Sequence, residues 1–288
     1  MFKNLSPGAI GIRNYSLPQA IELAQKTGFE GIDFDIREAA ALADQQGIDH
    51  VRRLFEQAGV RPGCWGLPVA WNKDEAQWRQ DLQELPQLAA LGRDLGCLRT
   101  AIWVPPNSSE RSFDENFKWH VARFQPVAEI LKVHNCRLGL EFIGPQTLRP
   151  PDKHAFIYNL EGMMELIEAI GTGNLGLLLD AWHLYTSGGS LDDLDKLSAK
   201  DIVTVHVNDA PLGLTTEAYI DHDRRLPMET GVIDLPRFMQ KLAQMNYDGP
   251  VTPEPFSQRV NAIEDPIEAA QLTADHMNRL WEASGLSI

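Results

Sequence analysis

Residues 175–183, LGLLLDAWH, form an aliphatic run that ends abruptly at an acidic residue, Asp180. A strand that is apolar on both faces is typical of a parallel sheet with helices covering each side. An unpaired carboxylate at the end of such a buried segment is costly unless a charged or hydrogen-bonding group meets it. The stretch therefore predicts a buried parallel strand whose last residue contacts a ligand or a polar neighbour.

The same pattern, a short apolar run followed by an amphipathic segment, occurs eight times along the chain. The predicted strands are GAIGIR (8–13), GIDFD (31–35), RPGCWGLP (61–68), LRTAIWVPP (98–106), RLGLEFIGP (137–145), LGLLLDAWH (175–183), IVTVHVNDAP (202–211) and GPVTPEPFS (249–257). Eight strand–helix units in 288 residues fit a (β/α)8 barrel, which needs about 250 residues. An open doubly wound sheet is the alternative, but such sheets often carry a Gly-rich phosphate turn after the first strand, and GIRNYS (11–16) is not one. No linker or repeat divides the sequence, so we predict an α/β fold with a single TIM barrel domain over residues 1–288.

Composition and charge exclude several classes of partner. The formal net charge of −14 argues against binding to nucleic acid, which needs clustered Lys and Arg. The N-terminal sequence lacks the apolar core of a secretory signal, and no apolar run approaches the roughly 18 residues of a membrane span. Cys64, Cys97 and Cys136 are scattered beside apolar stretches, which indicates buried, reduced thiols. We therefore expect a cytoplasmic protein that binds neither nucleic acid nor membrane.

Four chemistry-bearing side chains lie at the C-terminal ends of four successive predicted strands: Glu141, Asp180, His206 and Glu254. In a barrel the C-terminal ends of the strands meet at one rim, where active sites lie. Taken singly, such an acid is often a helix cap and such a histidine a core residue. Three carboxylates at one rim repel each other, however, and a divalent cation resolves the conflict. Three acid oxygens and one imidazole favour Mn²⁺, Mg²⁺ or Co²⁺, with Zn²⁺ as a further candidate.

The chain contains the motifs GLEFIGP, GLLLDAWHLYTSGG, VHVNDAP, DRRLPMETGVIDL and YDGPVTPEPF, in this order. Together they resemble the xylose isomerase-like TIM barrels, and within them the sugar isomerase and epimerase group that includes inosose isomerase-like proteins and tagatose 3-epimerases. The resemblance implies one catalytic divalent ion, with Mn²⁺ the favoured metal, bound by Glu141, Asp180, His206 and Glu254. It also implies that the two glutamates act as acid and base. His183 and Arg224 match positions that hold the oxygens of a small carbohydrate substrate.

The expected activity is isomerisation or epimerisation of an unphosphorylated sugar, keto-sugar or cyclitol. A metal stabilises the enediolate that forms when one carboxylate removes the proton beside a carbonyl, and a second carboxylate returns a proton. The same residues would serve a dehydratase or lyase in which the enediolate expels a hydroxyl, so this alternative stays open. A DNA-repair endonuclease would need more metal ligands and a basic groove, and a non-catalytic sugar-binding relative would be expected to lack one of the two glutamates.

The roles of several neighbouring residues remain open at this point. Asn208 and Asp209 either orient His206 or form an ordinary turn, and Arg225 is expected at the surface or in a salt bridge. Three tryptophans near strand ends either wall the pocket or pack at the rim; they are Trp65, Trp103 and Trp182. Residues 146–159 are long for a strand–helix connection and form either a lid or a contact in a homo-oligomer.

Overall fold

A computed structural model of the protein describes residues 1–286. Its main sheet is a closed barrel of eight strands, in which each strand pairs in parallel with its two neighbours. The strands are β1 (Phe2–Leu5), β2 (Gly31–Phe34), β3 (Arg61–Gly66), β4 (Arg99–Val104), β5 (Arg137–Phe142), β6 (Leu175–Asp180), β7 (Ile202–Val207) and β8 (Pro250–Pro253). The strands follow chain order around the barrel, and β8 closes on β1. The predicted (β/α)8 barrel is confirmed.

Each strand is followed by at least one α-helix, and these helices pack around the barrel. Within residues 1–286 they are α1 (Leu17–Lys26), α2 (Ile36–Gln46), α3 (Ile48–Ala58), α4 (Glu75–Asp94), α5 (Phe113–Val133), α6 (Leu160–Ile170), α7 (Ala181–Thr186), α8 (Leu235–Gln244), α9 (Gln258–Asn261) and α10 (Pro266–Ala283). Several begin at aspartate side-chain caps, for example Asp74 before α4 and Asp265 before α10. None of these helices combines the length and the apolar character that a membrane span requires.

The prediction for the first strand is wrong. Residues 8–13 were expected to form it, but β1 covers Phe2–Leu5 and a 3-10 turn occupies Pro7–Ile10. Pro7 has no N–H to donate to a sheet, which favours the turn. The strand itself contains Lys3 and Asn4, which hide its apolar pattern and are nevertheless buried. Each of the other seven predicted strands contains one of β2 to β8 but runs past its observed end; the predicted 175–183, for example, includes the start of α7.

Buried polar side chains form a layer inside the barrel, below the strand ends. Asn4 Nδ2 donates to Asp33 Oδ1 at 2.7 Å and to Thr252 Oγ1 at 2.9 Å. Gly63 fits against this layer because a Cβ there would lie 2.1 Å from Asn4 Oδ1. Burial raises the pKa of Asp33 to about 6, with His206 and Asn4 opposing the rise. Asp33 is not among the residues predicted from the sequence.

The three cysteines are buried free thiols, as expected. Burial raises the pKa of Cys97 to about 12 and that of Cys136 to about 11. At neutral pH both are therefore protonated and unreactive, and they serve as small core residues.

Candidate active site

The barrel brings the four predicted ligands together at its C-terminal rim. Glu141 lies in β5, Asp180 ends β6, His206 lies in β7 and Glu254 follows β8 directly. Asp180 and His206 are register partners on neighbouring strands. One donor atom from each of the four residues lies within 4.8 Å of the others. The cluster is therefore a direct consequence of strand order and of the rule that parallel strands end at the same level.

Two polar atoms of these four residues are buried and lack a hydrogen-bond partner among the described residues: Glu141 Oε1 and His206 Nδ1. They lie 3.8 Å apart, and His206 Nδ1 is 3.4 Å from Glu254 Oε2. Leaving buried acceptors and charges unpaired is expensive. A cation bound by these atoms would remove that cost, so the residues present fit a divalent metal site of oxygen and imidazole ligands.

The charges in the cluster are mutually dependent. Burial, together with the nearby carboxylate of Glu254, raises the pKa of Glu141 well above its usual value. Burial disfavours a charged imidazole, but Glu254, Glu141 and Asp180 raise the pKa of His206 to about 10. Burial opposes ionisation of Glu254 as well, yet His206 and Arg224 lower its pKa to about 2. Three carboxylates and one imidazole thus share the cluster, and the ionisation of each group depends on its neighbours.

Asp180 combines the two roles considered for an acidic residue at a strand end: it caps a helix, and it belongs to the four-residue cluster. Its Oδ1 accepts from the backbone N–H of Trp182 at 2.8 Å and so caps α7, and it also accepts from Asn208 Nδ2 at 3.3 Å. Its Oδ2 accepts from Arg224 Nη1 at 2.9 Å. One oxygen therefore fixes the side chain and the other belongs to the cluster. Asn208 therefore orients the carboxylate of Asp180, whereas the sequence had left open that it orients His206.

Arg224 is the cationic centre of the site. Its guanidinium donates to Asp180 and Glu254 at 2.9 Å and to Asp221 at 2.8 Å, and the side chain is buried. The ring of Phe256 lies 4.9 Å from it. Arg225, in contrast, forms a salt bridge with Asp223 at 2.7 Å, one of the two expected roles.

His183 is buried and lines the site beside Arg224. Its Nδ1 lies 3.1 Å from the backbone N–H of Gly144, which can only donate, so Nδ1 accepts and the ring proton is on Nε2. Burial and the neighbouring Arg224 lower its pKa well below the usual value, so the ring stays neutral. Nε2 is 3.2 Å from Arg224 Nη2. With the ring proton on Nε2, the N–H groups of His183 and Arg224 lie side by side at this point of the site.

Because Gly144 has no side chain, its backbone N–H can approach His183 closely enough to donate to Nδ1. A Cβ on Gly144 would lie 2.3 Å from the carbonyl oxygen of His183 and 2.6 Å from Thr186 Oγ1. We expect Gly144→Ala to lower the free energy of unfolding by about 2 kcal/mol, measured by urea denaturation, because the crowded backbone must shift. Gly66→Ala is the matched control, because a Cβ there meets nothing within 4 Å, and its effect should stay within about 0.5 kcal/mol. Equal effects of the two substitutions would contradict the packing described here.

The site opens into a cavity of about 500 Å³ at the rim. Glu141, His183, Arg224 and Glu254 line its inner end; its outer part is lined by Trp103, Pro105, Asn107, Leu148, Lys153, His222 and Phe256. Of the three tryptophans considered, only Trp103 lines this cavity. Trp65 is buried with its Nε1 donating to the Cys97 carbonyl, and buried Trp182 donates to Asp221. Phe256 has a φ of 39°, a left-handed value that is unusual for a bulky residue and is often found at functional sites.

Two acidic residues in the loops after β7 have roles that sequence analysis missed or left open. Asp221 lines the cavity and accepts from both Arg224 and Trp182. Its position three residues before Arg224, in DHDRR, could have indicated this pairing from the sequence. Asp209 accepts from the backbone N–H groups of Ala210, Thr230, Gly231 and Ile233. It therefore anchors a loop and does not orient His206.

Residues 146–159 are tied to the rim at several points. A short strand, His154–Ala155, pairs antiparallel with Asn107–Ser108 after β4. Asn107 Nδ2 donates to the Leu148 carbonyl at 2.7 Å, and Thr147 Oγ1 donates to the Tyr219 carbonyl at 2.9 Å. The segment thus forms one wall of the cavity in this structure.

Comparison with known proteins gives consistent relatives over most of the chain. A family model for xylose isomerase-like TIM barrels matches residues 21–280. An inosose isomerase from Halalkalibacterium halodurans is 26% identical over 276 residues, which cover 92% of each chain.

Solved structures of similar proteins share the fold. A xylose isomerase domain protein from Alicyclobacillus acidocaldarius superposes with a TM-score of 0.86 at 28% identity and covers 99% of both chains. The IOLI protein, whose crystal structure contains a bound zinc atom, superposes with a TM-score of 0.79 at 20% identity over 99% of this chain and 98% of that one.

Proposed function

The chain belongs to the xylose isomerase-like TIM barrel family, and on that premise we propose that it is a metal-dependent isomerase or epimerase of an unphosphorylated sugar, keto-sugar or cyclitol. The observation that carries the proposal is the meeting of Glu141, Asp180, His206 and Glu254 within 4.8 Å at the barrel rim. The similarity to an inosose isomerase supports a sugar-like substrate.

The four clustered side chains would hold one divalent ion. Mn²⁺ is the favoured metal for three carboxylates and one imidazole, and the zinc atom of the IOLI protein supports a dication of this size. A dication bound there would polarise the substrate carbonyl and stabilise the negative charge that develops on its oxygen.

Glu141 and Glu254 would transfer the protons. They project from β5 and from the end of β8, and their carboxylates flank His206 Nδ1 at 3.8 Å and 3.4 Å. One carboxylate removes the proton from the carbon beside the carbonyl, and the other gives a proton back. Return to the opposite face of the same carbon inverts it, whereas return to the neighbouring carbon moves the carbonyl. Both outcomes need only these two groups.

His183 and Arg224 would orient the substrate. The proton on His183 Nε2 and the guanidinium of Arg224 are donors 3.2 Å apart in the cavity, so both can bind one hydroxyl or carbonyl oxygen. Because burial keeps His183 neutral, it donates without adding charge. Positioning of this kind accounts for a large share of the rate of many enzymes.

The charge of the cavity favours a substrate without phosphate. Arg224 already pairs with Asp180, Asp221 and Glu254 at 2.8–2.9 Å. Glu141, Asp221 and Glu254 also line the cavity, and with Arg224 engaged only Lys153 among the described lining residues opposes their repulsion of a phosphate group.

A screen of ketoses, keto-glycosides and inososes in D₂O, with the metal-loaded protein, tests the proposed reaction. We expect deuterium to appear at a carbon beside the carbonyl in a product of unchanged composition, because the abstracted proton exchanges with solvent before it returns. Mass spectrometry and NMR measure this directly. Net loss of water from the same substrates would identify a dehydratase with the same residues and would contradict the isomerase proposal, as would absence of exchange across the panel.

A further inference from the structure

A second cavity of about 380 Å³ lies beside the candidate active site. Pro105 and Asn107 line both cavities. We call the second one the outer cavity; it is also lined by Trp71, Asn72, Ser109, Arg111, Trp119 and His120. Trp71 and Asn72 follow β3, and the other residues follow β4 or lie in the first turns of α5, so the outer cavity belongs to the same rim. A ligand in the catalytic cavity could extend past Asn107 into it.

The lining of the outer cavity combines flat apolar rings with short polar groups. Trp71 and Trp119 lie 5.7 Å apart between ring centroids, and His120 lies 5.0–5.1 Å from each. Asn72, Asn107 and Asn116 add carboxamides to the lining, which can each donate and accept. Sugar rings present C–H faces that suit aromatic walls and hydroxyls that suit amides, and each cavity has the volume of a small-molecule site.

His120 is part of this wall, and its ring carries a buried acceptor. Only 1% of the residue is exposed, and its Nδ1 lies 2.7 Å from the Asn116 carbonyl oxygen, so Nδ1 carries the proton. Nε2 is then a bare acceptor, and it has no hydrogen-bond partner among the described residues. Burial lowers the pKa of His120 to about 4, which keeps it an acceptor at neutral pH. A buried acceptor of this kind is costly unless a donor reaches it.

The charges in the outer cavity favour a neutral ligand. Its cation, Arg111, lies 4.3 Å from the centroid of the Trp119 ring and pairs with Glu110 at 3.3 Å. The guanidinium is therefore engaged, and Glu110 itself lines the cavity. A phosphate or carboxylate would meet this glutamate, whereas a hydroxylated ring would not be repelled.

We propose that the outer cavity is a subsite for a second sugar ring, so that the substrate class is a glycoside whose reacting ring occupies the catalytic cavity. The inference deepens the proposed function and rests on it, because the first ring must be a sugar or cyclitol. Asn107 lies between the two rings, and the aromatic wall with His120 contacts the second.

Matched pairs of one-ring and two-ring sugars test the subsite. The metal-loaded protein is titrated calorimetrically with D-fructose against lactulose, maltulose, turanose and palatinose, and with myo-inositol against galactinol. We expect at least one two-ring sugar to bind about tenfold more tightly than its one-ring partner. Ser109→Trp, which fills the outer cavity, and His120→Phe, which keeps the ring but removes the acceptor, should each reduce that ratio to about threefold or less. Lys118→Ala, an exposed position of α5, is the control that should leave the ratio unchanged.

The outcomes separate the subsite from the catalytic proposal. Equal binding within every pair, or a preference that survives both Ser109→Trp and His120→Phe, overturns the subsite. A preference that both variants reduce supports the subsite even if no sugar of the panel exchanges a carbon-bound proton in D₂O, a result that would count against the proposed function instead. Exchange without any preference for two rings supports the proposed function and overturns the subsite.

Discussion

Replacing Glu254 with glutamine is expected to lower kcat by about a thousandfold while sugar binding stays measurable. The amide has nearly the shape of the carboxylate but cannot take or return a proton at neutral pH. His183 and Arg224, which we propose to hold the substrate, remain in the cavity. Steady-state kinetics with metal in excess measures the change in kcat, and calorimetry with the same sugar measures binding.

Glu264→Gln is the matched control for this substitution. Glu264 is exposed in the loop before α10, and its change to glutamine should leave kcat within about twofold of the wild type. The metal content of the Glu254→Gln protein has to be measured as well, because Glu254 is also a proposed ligand. Turnover that survives in the Glu254→Gln protein would refute the acid–base role.

Removal of divalent metal with a chelator is expected to lower turnover by at least about a hundredfold, because several kcal/mol of charge stabilisation would be lost. Adding Mn²⁺ should restore activity, with Mg²⁺, Co²⁺ and Zn²⁺ restoring it to different extents. The ion should also stabilise the fold, by about 2.7 kcal/mol at a concentration one hundred times its Kd. Activity assays and thermal denaturation before and after reconstitution measure both effects.

A mock-treated sample, dialysed without chelator, controls for loss of protein during the treatment. Full activity in protein whose metal content has fallen below about 0.1 ion per chain would contradict metal dependence. Restored stability without restored activity would assign the ion a structural role only.

Most of the barrel can be predicted from the sequence because most of its strands are recognisable apolar runs. Runs such as LGLLLD in β6 and IVTVHV in β7 are apolar on both faces, as strands of a parallel barrel must be. The strand β1 lacks this apolar pattern because it contains Lys3 and Asn4, whose buried side chains hydrogen-bond to residues distant in the sequence. Lys3 Nζ donates to Asn278 and Asn4 Nδ2 to Asp33. Local patterning contains no information about such pairs.

The residues of the candidate site also form two groups: those that strand positions predict and those that depend on loop conformation. Glu141, Asp180, His206 and Glu254 could be found because their positions follow from strand ends alone. Asp221, Phe256 and the pairing of His154–Ala155 with Asn107–Ser108 depend on how long loops fold back on the rim. Asp180 both caps α7 and belongs to the cluster. The sequence cannot distinguish these two roles, because they depend on the separate partners of the two carboxylate oxygens.

The central claim, that four side chains from successive strands grip one dication, is tested most directly by anomalous diffraction from crystals of the Mn²⁺-loaded protein. The account predicts a single strong anomalous peak per chain, within about 2.0–2.6 Å of Glu141, Asp180, His206 and Glu254. A peak bound elsewhere, or no peak at the barrel rim in crystals whose metal content has been verified, would contradict it.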